Sequence, residues 1–147
     1  MKVLIIGGNS NLGRSLITVL SEFCVVVTAG RENCDINFNL SDSVQNIIFP
    51  KNIDVLIHLA AHFGGESGKD MIDAEIVNVV GTIKMCELAV RANAKHFILI
   101  SSIFVLLKKD DINYSVYSLS KKQSDEIADF YCSSMSLPLT ILRPSQI

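Results

Sequence analysis

In YSLSK, residues 117–121, a tyrosine and a lysine stand four positions apart. At helical spacing they share a face, so the Lys121 ammonium can stabilise a phenolate and lower the Tyr117 pKa from about 10. A phenol tuned in this way serves as general base or acid near neutral pH. Upstream, ILISS (residues 98–102) ends in Ser102, whose hydroxyl can hold the same substrate oxygen. Taken alone, Tyr-x-x-x-Lys also describes a solvated helix face. Its place one crossover after a strand-terminal Ser-Ser is what points to chemistry.

Two periodicities must position these groups. KVLII, CVVVT, IDVLIHLA, KHFILIS and LPLTILR are short, β-branched and nearly continuously apolar, as strands buried on both faces of a parallel sheet must be. Between them the pattern predicts helices over Leu12 to Ser21, Ser41 to Ile48, about Asp70 to Asn93, and about Val116 to Met135. Ser41-Asp42 reads as a cap, and Pro50 and Pro138 as stops before the next strand. Strand alternating with helix implies a doubly wound α/β fold: a mostly parallel, Rossmann-like sheet in a three-layer sandwich, with residues 1–147 as one domain.

The first strand runs into IIGGNSNLG. A helix N-terminus at the carboxyl edge of such a sheet offers unpaired N–H groups and partial positive charge, which suits a pyrophosphate. Gly7 permits the sharp turn and Gly13 lets the helix pack close to the strand, with Asn11 and Leu12 between. Ser10 takes the place of a middle glycine; it can donate a hydroxyl, but its Cβ crowds a phosphate. A tight turn without ligand is the rival reading, and the strand–turn–helix context argues against it. The second strand ends VVVTAGREN, with no carboxylate at its tip for a ribose 2′-hydroxyl. Arg31 can stack on adenine and pair with a 2′-phosphate, which favours NADP over NAD. Glu32 is the counterweight, and a solvated loop arginine the plain alternative.

Composition closes off other classes. A net charge of −2, with no basic run longer than two residues, speaks against a nucleic-acid surface. The longest apolar stretch, FILISSIFVLL, is too short to span a bilayer, so no membrane partner is expected. The four cysteines form no Cys-x-x-Cys pair and read as reduced, mostly buried thiols of a cytoplasmic protein. His58 ends a strand, so His58 and His62 do not share a helix face and no metal site is expected.

Together these stretches resemble the extended short-chain dehydrogenase/reductases, the NAD(P)-dependent epimerase/dehydratase group that acts mostly on nucleotide sugars. The resemblance rests on IIGGNSNLG, CDI (Asp35 and Ile36), HLAA at 58–61, NVVGT at 78–82, ISS, YSLSK and LRPSQI. It implies that Asp35 and Ile36 flank the adenine, that Leu59, Ala60 and Ala61 line the cofactor, and that Asn78 lies on the central helix. It further implies that Tyr117 exchanges a sugar hydroxyl proton, that Lys121 also binds the nicotinamide ribose, and that Ser102 positions the reacting oxygen. A hydride then passes between sugar carbon and nicotinamide. The implied substrate is a nucleotide sugar, and the implied assembly a homodimer through the two long helices. Asp35 as a turn residue and Asn78 as a helix-interior polar group satisfied by a neighbouring backbone are the bland rivals.

Several residues depart from the group's pattern. Ile103-Phe104 follows Ser102 where the dehydratase branch carries Asp-Glu, which argues against 4,6-dehydration. Val105-Leu106-Leu107 replaces Val-Tyr-Gly, the span from Ser102 to Tyr117 is short, and Gln146 stands in place of an asparagine. The group usually continues into a substrate lobe beyond the LRP strand. Residues 1–147 therefore read as a cofactor-binding half with poor turnover by itself, and a silent dinucleotide sensor is the alternative from another class.

Overall fold

The computed structural model describes residues 1–45 and 47–145. Six parallel strands form one sheet in the order β3-β2-β1-β4-β5-β6. They are β1 (Lys2–Ile6), β2 (Val25–Gly30), β3 (Ile36–Asn37), β4 (Val55–His58), β5 (His96–Ile100) and β6 (Leu139–Leu142). The order reverses between β1 and β4, and the loops leaving those strands diverge there to open a crevice.

Alternation along the central strands feeds two cores. Leu4, Ile6, Leu56, Phe97 and Leu99 point to one face, where they pack with Met85, Cys86, Leu88, Ala128 and Cys132. Those residues belong to α3 (Gly81–Arg91) and α4 (Val116–Ser134). Val3, Ile5 and Ile57 point to the other face, against Leu16, Ile17 and Leu20 of α1 (Asn11–Leu20). Because both faces are covered, β1 carries no polar alternation. Cys86 and Cys132 sit buried side by side, with their Sγ atoms 3.9 Å apart, while Cys24 and Cys34 are only half-buried.

The long helix expected over about 70–93 is three pieces in one run: α2 (Gly68–Ala74), a π-helical stretch (Glu75–Val80) and α3. Ser67 caps it through a reciprocal box with Asp70. The helix expected over 41–48 is not there among the described residues. The Asn39 side chain accepts from the Ser41 N–H, turning the chain, and the Lys84 ammonium takes the carbonyls of Leu40 (2.6 Å) and Asp42 (2.8 Å). With those carbonyls spent on a lysine, and with Leu40 and Val44 drawn into the core, tertiary contacts override a modest helical preference. β3, only two residues long, did not stand out from the hydrophobic pattern.

Candidate active site

The glycine turn is built mainly by backbone. Gly7 N–H donates to the Ala29 carbonyl at 2.7 Å, and Ser10 N–H to the Gly7 carbonyl at 3.1 Å. Gly7 has φ +88°, and a Cβ there would lie 2.9 Å from the Ala60 nitrogen. At Gly13 a Cβ would lie 2.6 Å from the carbonyl oxygens of both Gly7 and Gly8. Only glycine fits either position. Ser10 caps α1 by accepting from the Gly13 N–H at 3.0 Å, which leaves its hydroxyl hydrogen to donate outward. The N–H groups of Asn11 and Leu12, first in the helix, find no acceptor among the described residues. Free amides, a free hydroxyl and close backbone approach are what a pyrophosphate needs, so the turn fits a dinucleotide.

Two cavities meet at this turn. One, of about 630 Å³, runs toward β2 and is lined by Gly7, Ser10, Gly30, Arg31, Phe38 and Leu40 together with Leu59, Ala60 and Ala61. The other, of about 570 Å³, runs toward β5 and is lined by Asn11, Leu12, Ser101, Ser102, Phe104 and Tyr117. Ser10, Leu59, Ala61 and Phe63 border both, so they form one trough along the carboxyl edge of the sheet.

Tyr117 stands in the first turn of α4, which Ser115 caps through a box with Ser118. Its ring lies between Phe63 (centroids 5.3 Å apart) and Phe104 (6.3 Å, edge-on). Ser102 is buried on the same cavity wall, its Oγ accepting from the Phe104 N–H at 3.3 Å. Lys121 lies one turn deeper, and its Nζ donates to the Ile100 carbonyl at 2.8 Å. Ser102 and Tyr117 thus share a cavity wall at the end of β5, while buried Lys121 reaches that strand end at the Ile100 carbonyl and lines neither cavity. Lys122, their neighbour, is exposed.

The electrostatics differ from the sequence expectation. Burial among the aromatic rings pushes the Tyr117 phenol above its usual value, and the Ser102 hydroxyl offsets this only in part. The Lys121 ammonium is spent on a carbonyl, and burial lowers its own pKa to about 8 against the opposing pull of Asp125. Burial thus favours the neutral phenol, opposite to the lowering expected from Lys121.

Other expected residues fall elsewhere. Asp35 is outside the trough: its carboxylate accepts from the Thr28 N–H and hydroxyl, each at 2.8 Å, and those bonds hold its pKa low. Its role is to tie β2 to the following turn. Ile36 lies in β3 and packs against the main core. Asn78 is buried in the π-helical stretch, donating to the His62 carbonyl and the Ser120 hydroxyl and accepting from the His62 N–H. It braces the loop that carries Phe63 and does not line the trough. Gln146 lies outside the described residues.

Sequence reasoning missed Phe63 and Phe104. Phe104 was legible only as a departure, and Phe63 had a faint signal in the glycine pair after it. Gly64 takes φ +79°, and a Cβ there would lie 2.4 Å from Val116 Cγ1, so this loop is pressed onto the start of α4.

The chain matches the description "NAD dependent epimerase/dehydratase family" over residues 3–147. It belongs to that family. A curated relative, CDP-abequose synthase of Salmonella typhimurium, is 26% identical over 159 aligned positions, covering 96% of this chain and 51% of the relative. The chain therefore spans about half the length of that relative. UDP-glucuronic acid 4-epimerase from Bacillus cereus, solved in complex with NAD, is 24% identical with a TM-score of 0.71, covering 97% of this chain and 55% of that one. A partial consensus L-threonine 3-dehydrogenase superposes with a TM-score of 0.75 at 21% identity, covering 97% and 52%. These structures share the family's Rossmann-type fold. No helix among the described residues is long and apolar enough to cross a membrane.

Proposed function

We propose that the trough binds NAD(P) and that Ser102, Tyr117 and Lys121 serve hydride transfer at a carbon of a nucleotide sugar, as epimerase or reductase. The observation that carries this is the continuity of the trough, from the amide-rich turn at Gly7–Gly13 to the phenol of Tyr117. A nicotinamide, when bound, supplies the hydride acceptor or donor. Tyr117 exchanges the hydroxyl proton, Ser102 holds the reacting oxygen, and Lys121 supports the phenol and the adjoining ribose. The names of the Salmonella relative and of the Bacillus epimerase support a nucleotide-sugar substrate. None of the described residues lining the Tyr117 cavity is Asp or Glu, which supports epimerase or reductase chemistry over dehydration.

NADP is the preferred form. Arg31 is exposed on the trough wall and makes no ion pair among the described residues, whereas Glu32 lines a different depression with Thr28 and Asp35. A guanidinium at the adenosine end of the trough favours a 2′-phosphate, and the carboxylate that also lines this cavity, Asp73, pairs with Lys69. Fluorescence titration with NADPH and NADH checks this: Arg31→Ala is expected to weaken NADPH roughly tenfold and leave NADH nearly unchanged. Equal effects on both would refute the NADP assignment.

The raised Tyr117 pKa favours one second reading, a dinucleotide-binding module without turnover. Tyr117→Phe separates the two. An enzyme loses hydride transfer while still binding the dinucleotide, whereas a silent module is indifferent. The nucleotide-sugar substrate and the homodimer carry over from family resemblance, the cytoplasmic location from the scattered cysteines, and all three belong to the same proposal.

A further inference from the structure

Where the dehydratase branch carries an acid, this chain has Phe104, and the structure shows what the phenylalanine supplies instead. Phe104 belongs to a 3₁₀ turn (Ile103–Leu106) that Ser102 caps and that packs against α4. Its backbone is fixed at three points. The Phe104 N–H donates to Ser102 Oγ at 3.3 Å, and its carbonyl accepts from the Leu107 N–H at 3.1 Å. Just before it, the Ile103 N–H donates to the Pro144 carbonyl at 3.0 Å. From that backbone the ring reaches Tyr117, with centroids 6.3 Å apart and planes at 86°, the edge-to-face geometry that aromatic pairs favour. Phe104 is part of neither hydrophobic core and is 39% exposed, so its packing is directed at the cavity it lines with Ser102 and Tyr117.

We infer that Phe104 is a positioning residue for Tyr117: from a backbone tied to Ser102, its ring sets where the phenol stands relative to the Ser102 hydroxyl. Tyr117 is only half-buried, and holding its side chain in one rotamer costs entropy that a packed neighbour offsets. Phe63 also touches the Tyr117 ring, at 5.3 Å and 33°. That side chain is 79% exposed, however, and a ring mostly in water restrains its neighbour less than one presented by a fixed turn. The ordering therefore falls to Phe104. It matters because a misplacement of about 1 Å in a reacting group can cost about 10²-fold in rate.

The inference rests on the proposed reaction only for that consequence in turnover, so the test reads Tyr117 directly. The chain has three tyrosines, Tyr114, Tyr117 and Tyr131. In ¹³C-tyrosine protein, NMR relaxation gives the order parameter of each ring axis, with Tyr117→Phe supplying the assignment. Phe104→Ala is expected to lower the Tyr117 value from about 0.85 to below about 0.6, while Tyr131, packed against the main core, stays as it is. Phe104→Tyr keeps the ring and is expected to leave Tyr117 as ordered as in the parent. A Phe104→Ala protein that does not fold, or that loses thermal stability with the order of Tyr117 unmoved, shows a packing role and overturns the inference. So does a fall in Phe104→Tyr as large as in Phe104→Ala. NADPH titration of the parent judges the reaction separately: an ordered Tyr117 in a chain that binds no NADPH leaves the positioning standing and removes the proposed reaction.

Discussion

The two ends of the trough are built on opposite plans. At the β1–β2 end the glycine turn presents main-chain amides from one local segment, residues 7–13, beside the strand tip at Gly30–Arg31. At the β5 end the site is made of side chains from three separated segments: Phe63 after β4, Ser102 and Phe104 after β5, and Tyr117 and Lys121 on α4. The first end is closely packed: a Cβ added at Gly7 or Gly13 would strike backbone. The second is tuned by burial, so its groups have shifted pKa values and its geometry depends on packing. Binding is thus written into local backbone, and chemistry into tertiary placement.

The largest effects should separate the ends cleanly. Tyr117→Phe is expected to lower turnover by roughly 10²- to 10⁴-fold, as for loss of a positioned acid–base group, with dinucleotide affinity unchanged in equilibrium titration. Gly13→Ala should do the reverse kind of damage. Its Cβ would sit 2.6 Å from two carbonyl oxygens, so stability falls by about 2–4 kcal/mol in urea denaturation and dinucleotide binding is lost. An unfolded Tyr117→Phe, or a Gly13→Ala protein that binds normally, would erase the contrast.

Next comes pH. His58 is held neutral at the β4 tip, with its pKa lowered from 6.5 to about 3. The unfolded chain therefore binds one more proton than the folded chain between those values, and stability is lost as pH falls from 6.5 toward 3 at up to about 1.4 kcal/mol per unit. His58→Leu should flatten that loss between pH 6.5 and 4.5, above the range where the carboxylates titrate. Urea midpoints measured across the window decide it; an unchanged slope would place the acid sensitivity elsewhere. The smallest effect belongs to the turn. Ser10→Ala removes the α1 cap and is expected to cost about 1 kcal/mol in denaturation midpoint while weakening dinucleotide binding only slightly.

The strand pattern, the strand–turn–helix at Gly7–Gly13 and the spacing of Tyr117 and Lys121 were legible because each is a local periodicity. The helix expected at 41–48 failed because Lys84, distant in sequence, takes its carbonyls. Asp35 is a similar case, since a motif match does not reveal that its carboxylate accepts from Thr28. Asn78 bonds to His62 and Ser120, partners that lie 16 and 42 residues away and that no local pattern reveals.

By itself the sequence determined five of the six strands, where the backbone must be glycine, and which residue types were available for acid–base work, since these follow from side-chain volume, alternation and short-range spacing. Only the tertiary structure decided the charge states. Whether Tyr117 is a phenol, Lys121 an ammonium near its titration point and His58 neutral depends on how much water each has lost and which distant carbonyl or carboxylate it meets. Desolvation is a property of the packed molecule, and no spacing along the chain encodes it.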